Sequence, residues 1–138
     1  MSHAEGLSST ASGLESHAEG FKTTASNEAA HAEGERTTAS EEGAHAEGRE
    51  TTASGKFSHA EGGYYESGSY TKGGTASGAG SHAEGILTEA SGVGAHAEGR
   101  QAKAEGNYSH AEGGEWKSGT GYLPGGWAKE YGSHAEGV

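Results

Sequence analysis

The chain has 138 residues, 27 of them glycine, with only 30% apolar residues and a formal net charge of −11. That is one domain's length, yet so little apolar surface per residue excludes a conventional packed core. Nine Lys and Arg against 20 acidic residues, all glutamate, exclude the basic stripe that nucleic acid requires. The absence of cysteine removes disulfides and thiolate metal sites.

No apolar run approaches the ~18 residues of a membrane span. The opening Met1-Ser2-His3-Ala4-Glu5-Gly6 has neither the basic nor the apolar region of a signal peptide. It starts inside a repeat, so a single repeat domain over 1–138, cut from a longer chain, is expected. Low hydrophobicity and high net charge are also a signature of disorder. The regular order of the residues argues against it. The pentapeptide Ser/Ala-His-Ala-Glu-Gly occurs nine times, at His3, His17, His31, His45, His59, His82, His96, His110 and His134. Six of the eight intervals are 14 residues, and the other two are 23 and 24. A second half-motif lies midway, as in Thr23-Thr24-Ala25-Ser26 and Thr37-Thr38-Ala39-Ser40. Each unit is therefore two similar heptads.

A seven-residue period suggests a coiled coil, but coiled coils need bulky residues at the seam. Here the seam would be Ser, Ala and Gly, and each interior glycine costs a helix roughly 1 kcal/mol against alanine. The alternation Ser-x-Ala-x-Gly has period two, the period of a strand. Each heptad is predicted to form a five-residue strand and a tight turn. Two strands complete one turn of a flattened coil, and like strands stack in parallel at roughly 4.8 Å. Ser, Ala and Gly of one strand are expected to face the small residues of the other. The fold class is all-β, a single-chain parallel β-solenoid with two strands per 14-residue rung.

Two insertions, at about 63–74 and 114–127, interrupt the coil before the Thr-x-Ala-Ser strand. They carry Tyr64, Tyr65, Tyr70, Trp116, Tyr122 and Trp127, six of the ten aromatic residues. Tyr and Trp among Gly and Ser suit adaptable recognition loops. The competing expectation is that these rings fold back over a rung or pack between chains. The first insertion is predicted to be a hairpin turning at Ser67-Gly68. Leu123-Pro124-Gly125-Gly126 marks a turn in the second.

Stacking converts each pentapeptide position into a column. The histidines stand beside Glu5, Glu19, Glu33, Glu47, Glu61, Glu84, Glu98, Glu112 and Glu136 on the face opposite the alanines. Neighbouring glutamates at that spacing repel by roughly 3.5 kcal/mol at an effective dielectric of 20, and by under about 1 kcal/mol in open water. Three readings of this face stand open: a solvated charged surface, an interface in which His donates to Glu across chains, and a metal-binding histidine ladder. No Cys or Asp completes a familiar ligand spacing, so no metal and no cofactor is assigned. The interface reading is taken. Nine equivalent His-Glu pairs without a nucleophile or distinct pocket argue against an enzyme.

With its small residues spaced as in Ser16-His17-Ala18-Glu19-Gly20, Thr23, Ala25 and Ala30, the chain resembles the YadA-like head of trimeric autotransporter adhesins. The pattern covers everything but the insertions. The resemblance implies a left-handed roll, three of which associate side by side as a homotrimer. It implies a bacterial cell-surface, extracellular location, with membrane contact only through parts beyond this sequence. His and Glu stand where that family typically carries Val and Ile, which makes the implied trimer interface polar. The function expected is attachment to host matrix or cell surfaces. The alternative is a rigid trimeric spacer in a phage or Gram-positive surface fibre. An ice-binding array is a distant third, since the Thr24, Thr38, Thr52 column is broken by Glu89 and Lys103.

Overall fold

The computed structural model describes residues 1–66, 68–117 and 121–137, the side chains of 66, 116, 117 and 122 excepted. The chain is an all-β solenoid with two parallel sheets. One has nine strands and is built from the pentapeptides, as in His17–Phe21, His31–Glu35 and His45–Arg49. The other has eight strands, each only two residues long, as in Thr24–Ala25 and Thr38–Ala39. Like residues pair with like throughout: His17 with His31, Ala18 with Ala32, Glu19 with Glu33, Thr24 with Thr38. Any slip in register would turn an alanine column toward solvent, so the pattern fixes the pairing.

Between the sheets the core is alanine and hydroxyl. Ala18, Ala25, Ala32, Ala39, Ala46 and Ala53 are fully buried, and the largest fully buried side chains are Thr23, Thr37, Thr51 and Thr88. Nothing bulkier enters the slot. Serine hydroxyls close several of the turns at the start of the pentapeptides, as where Ser58 donates to the Gly55 carbonyl at 2.7 Å and Ser109 to that of Gly106 at 2.6 Å.

Two details differ from the period-two expectation. The second half-rung is a short ladder rather than a five-residue strand, because its turn begins directly after residue 26. The pentapeptide glycine, moreover, does not continue the inward alternation. Gly34 sits at φ +106, and a Cβ there would run into the carbonyl oxygen of Gly48 in the next rung. Its role is to let successive rungs approach, not to line the core.

The corners use the left-handed region with and without glycine, at Lys22 (φ 57), Ala29 (φ 53) and Gly43 (φ 61) for example. That conformation reverses the amide, so Lys22 N–H donates back to Leu7 O at 2.9 Å and Ala29 N–H to Leu14 O at 2.8 Å. On the flat segments the amides point forward, as His17 N–H does to Ala30 O at 2.9 Å. Each rung is thus tied to both neighbours, the contact pattern of a solenoid.

The first insertion is an antiparallel hairpin, Tyr64–Glu66 against Ser69–Thr71. Gly68 lies in its turn; the expected turn residue Ser67 is outside the described residues. The second insertion is also a hairpin, Glu115–Lys117 against Gly121–Leu123, which its sequence did not announce. Both leave the coil at the same corner, since Gly63 lies against Arg49 and Gly114 against Arg100, equivalent positions of their preceding rungs.

Two substitutions probe the narrow core. Ala46→Leu should lose at least about 1–3 kcal/mol through overpacking. Thr37→Val should gain about 1 kcal/mol, because the Thr37 hydroxyl is buried with no hydrogen-bond partner. Denaturation midpoints at fixed protein concentration check both, and a stabilised Ala46→Leu variant would contradict the narrow slot.

Candidate functional site

The alternation of each pentapeptide strand sends His and Glu outward when Ala turns inward. In-register stacking then aligns nine imidazoles along the coil. From His17 to His134 successive ring centroids lie 4.6–4.9 Å apart, with planes within 13° of parallel. Only the terminal His3 departs, meeting His17 edge-on at 77°. The rings stack because the rung spacing leaves room for one aromatic thickness and little more.

Eight of the nine Nε2 atoms, all but that of His96, lie within 4.0 Å of a glutamate carboxylate. The approach is made within a rung, as His31 to Glu33 at 3.4 Å and His17 to Glu19 at 3.7 Å. It is also made to the preceding rung, as His59 to Glu47 at 3.7 Å and His110 to Glu98 at 3.6 Å. His82 reaches both ways, to Glu61 at 3.4 Å and Glu84 at 3.7 Å. At the ends, His3–Glu5 at 3.5 Å and His134–Glu112 at 3.2 Å come within hydrogen-bond range. Between them, the Nε2 atoms of His17, His31, His45, His59, His82, His96 and His110 are buried without a hydrogen-bond partner. All nine expected histidines and their glutamates thus share one face.

Elsewhere on the surface, charges of opposite sign meet between rungs. Lys103 Nζ donates to Glu89 at 2.8 Å and Lys56 Nζ to Glu42 at 3.1 Å, and Arg49 pairs with Glu35. The glutamate column has no such alternation. It is acidic in every rung.

Burial pushes the His31 imidazole below its ordinary value, helped by the neighbouring His45 and His17 and opposed by Glu33. His96 is lowered the same way, by burial and then by His82 and His110, against Glu98 and Glu84.

The aromatic residues divide. Tyr64, Tyr65 and Tyr70 are about half exposed on the first hairpin. Tyr65 packs on Tyr70 at 4.6 Å between centroids, and the Arg49 guanidinium covers the Tyr70 ring at 3.4 Å. These rings therefore lean on the coil and still offer surface. Trp127 is not in the second hairpin: it pairs with Lys103 on the eight-stranded sheet, its ring covered by Lys129 at 3.6 Å. Trp116 and Tyr122 are partners in the second hairpin's register; beyond that, the expectation that they contact a ligand lies outside the described residues. A recess of about 370 Å³ opens beside the first hairpin, lined by Lys72, Thr75, Leu87, Glu89, Gln101 and Lys103. Sequence reasoning did not find it, because it exists only between a hairpin and the rungs that follow.

No protein-family model and no curated protein matches this chain.

The lowered His31 and His96 values set a sign. The folded state disfavours their protonation, so their contribution to stability is complete above the ordinary histidine value of about 6.5. It is lost as pH falls through the lowered folded values. NMR titration should place both midpoints below that of the unfolded chain. Midpoints above it would mean that the carboxylates outweigh burial and stacking.

Proposed function

We propose that the chain is the head region of a trimeric bacterial surface adhesin, non-catalytic, which attaches to host matrix or cell surfaces. The observation that carries this reading is the division of the molecule into two kinds of surface. One face, the His/Glu columns, runs the length of the coil unbroken, its histidines still stacked across both insertions. A face of that regularity suits side-by-side association of identical chains, each column meeting its copies rung by rung. The hairpins leave from the corner, the first with half-exposed tyrosines, and suit ligand contact.

Energetics support association. Burying an alanine methyl contributes about 0.8 kcal/mol, whereas ordering one residue's backbone costs about 1–2 kcal/mol. A coil with an alanine core gains from any further burial of its exposed imidazoles. The resemblance to YadA-like heads adds the three-fold arrangement, the left-handed roll and the cell-surface location. A second reading, a rigid trimeric spacer in a phage or Gram-positive surface fibre, is favoured by the six rungs that carry no insertion. In that case the hairpins would bind nothing.

Sedimentation equilibrium on the purified chain is expected to give a trimer at neutral pH that weakens toward pH 3, where the glutamates lose their charge. A monomer at neutral pH would overturn the reading, and a trimer unchanged at pH 3 would remove His-Glu pairing from its interface. Replacing Tyr64 and Tyr65 by serine separates the two functions: attachment to immobilised matrix falls several-fold for an adhesin and is absent from the start for a spacer.

A further inference from the structure

We propose that the His/Glu face binds divalent transition-metal ions, zinc as the representative, at two places per chain centred on His82 and Glu112. The inference rests on the geometry within one chain and holds whether or not chains associate. Around His82, the ligand atoms of His59 and Glu61, or of Glu84 and His96, lie with it within 4.8 Å of one another. Around Glu112, the same holds for Glu98 and His110, or for His134 and Glu136. The alternatives at each place share their central residue, so each place takes one ion at a time.

Three observations point to a metal rather than to a proton shared by His and Glu. The separations are the first. His82 Nε2 stands 3.4 and 3.7 Å from carboxylate oxygens, and His110 Nε2 3.6 Å. These are long for a charge-assisted hydrogen bond of about 2.7–2.9 Å. Two atoms each about 2.1 Å from zinc, at angles of roughly 105–130°, lie about 3.3–3.8 Å apart, which the imidazole–carboxylate pairs meet as they stand; the stacked rings of His59 and His82, or of His82 and His96, 4.8 and 4.9 Å apart, tilt toward each other to share an ion. Second, the Nε2 atoms of His59, His82, His96 and His110 are buried and lack a hydrogen-bond partner, and those of His59, His82 and His110 stand 3.4–3.7 Å from carboxylates. Third, the chain cancels like charge elsewhere by alternating sign between rungs, as at Glu89 and Lys103 or Glu42 and Lys56. In the glutamate column it never does, which leaves a line of negative charge that a bound cation would neutralise. Mixed imidazole and carboxylate ligands select a borderline ion such as zinc or cobalt over magnesium or calcium, which take oxygen. Water completes the coordination shell.

The test uses the intact chain and cobalt(II) as a spectroscopic stand-in for zinc. Titration should develop visible d–d absorption that saturates at two ions per chain, is abolished by two equivalents of zinc, and survives a tenfold excess of magnesium. His82→Gln and Glu112→Gln should each lower the count to one, and the double variant to none, with the β-sheet circular dichroism kept. Should a variant misfold, heteronuclear NMR of the unsubstituted chain decides: zinc must shift the Nε2 resonances of His82 and of His110 or His134. A count independent of both substitutions, equal competition by magnesium, or unshifted Nε2 resonances would overturn the proposal. Sedimentation with and without chelator reports the trimer separately, so loss of one claim is distinguishable from loss of the other.

Discussion

The rest of the structure depends on the in-register stacking of like on like at one strand spacing. Because Ala18 sits over Ala32, and Ala32 over Ala46, the slot between the sheets has the same width at every rung. A single larger residue could not be absorbed locally, since its neighbours along the column are held by the same ladder. The threonines at 23, 37, 51 and 88 are the upper limit, and their buried hydroxyls without partners are a cost of keeping that width. Glycine columns meet the same constraint from outside the slot. At Gly34 the next rung's carbonyl occupies the space a side chain would need.

Stacking like on like helps some residues and penalises others. Neutral imidazoles gain from face-to-face contact at 4.6–4.9 Å, and alanines gain from packing. Carboxylates gain nothing. At exposed positions the chain escapes the penalty through pairs such as Lys103 with Glu89, and at the corners it varies the residue freely. The pentapeptide has no such freedom, because its histidine must stack and its glutamate shares that strand face. An invariant acidic column therefore marks a face whose charge is completed by something beyond one chain, either bound cations or neighbouring copies.

Much of this was legible in the sequence. Nine pentapeptides at a 14-residue interval, with period-two alternation and no bulky seam, define a two-stranded rung, and His17 to His134 fall on one face as that rung requires. The alternation stops one residue short of the pentapeptide glycine, where φ turns positive. The reach of His82 back to Glu61, in the preceding rung, depends on how side chains lean between rungs, which spacing along the chain does not encode. Length alone bounds the second insertion in the sequence, and that bound takes in Trp127. Its register with Lys103 follows only from where the coil resumes.

How the coil tolerates its insertions explains why decoration and columns coexist. Each hairpin replaces one left-handed corner residue, the position of Glu50 or Leu87, which contributes no side chain to the core. Gly-Gly pairs flank both: Gly62-Gly63 and Gly73-Gly74 around the first, Gly113-Gly114 and Gly125-Gly126 around the second. The second member of each returning pair stands where other rungs place the buried threonine. There a Cβ would strike the carbonyl of Ala83 or Ala135. With that side chain gone, the returning strand rejoins the ladder unshifted: Thr52 N–H donates to Gly74 O at 3.1 Å and Lys103 N–H to Gly126 O at 2.9 Å. The histidine column passes both rungs with its stacking intact, 4.8 Å from His59 to His82 and 4.9 Å from His110 to His134. Hairpin length and composition can therefore change without touching the polar face, which separates what the molecule contacts from how its rungs are held.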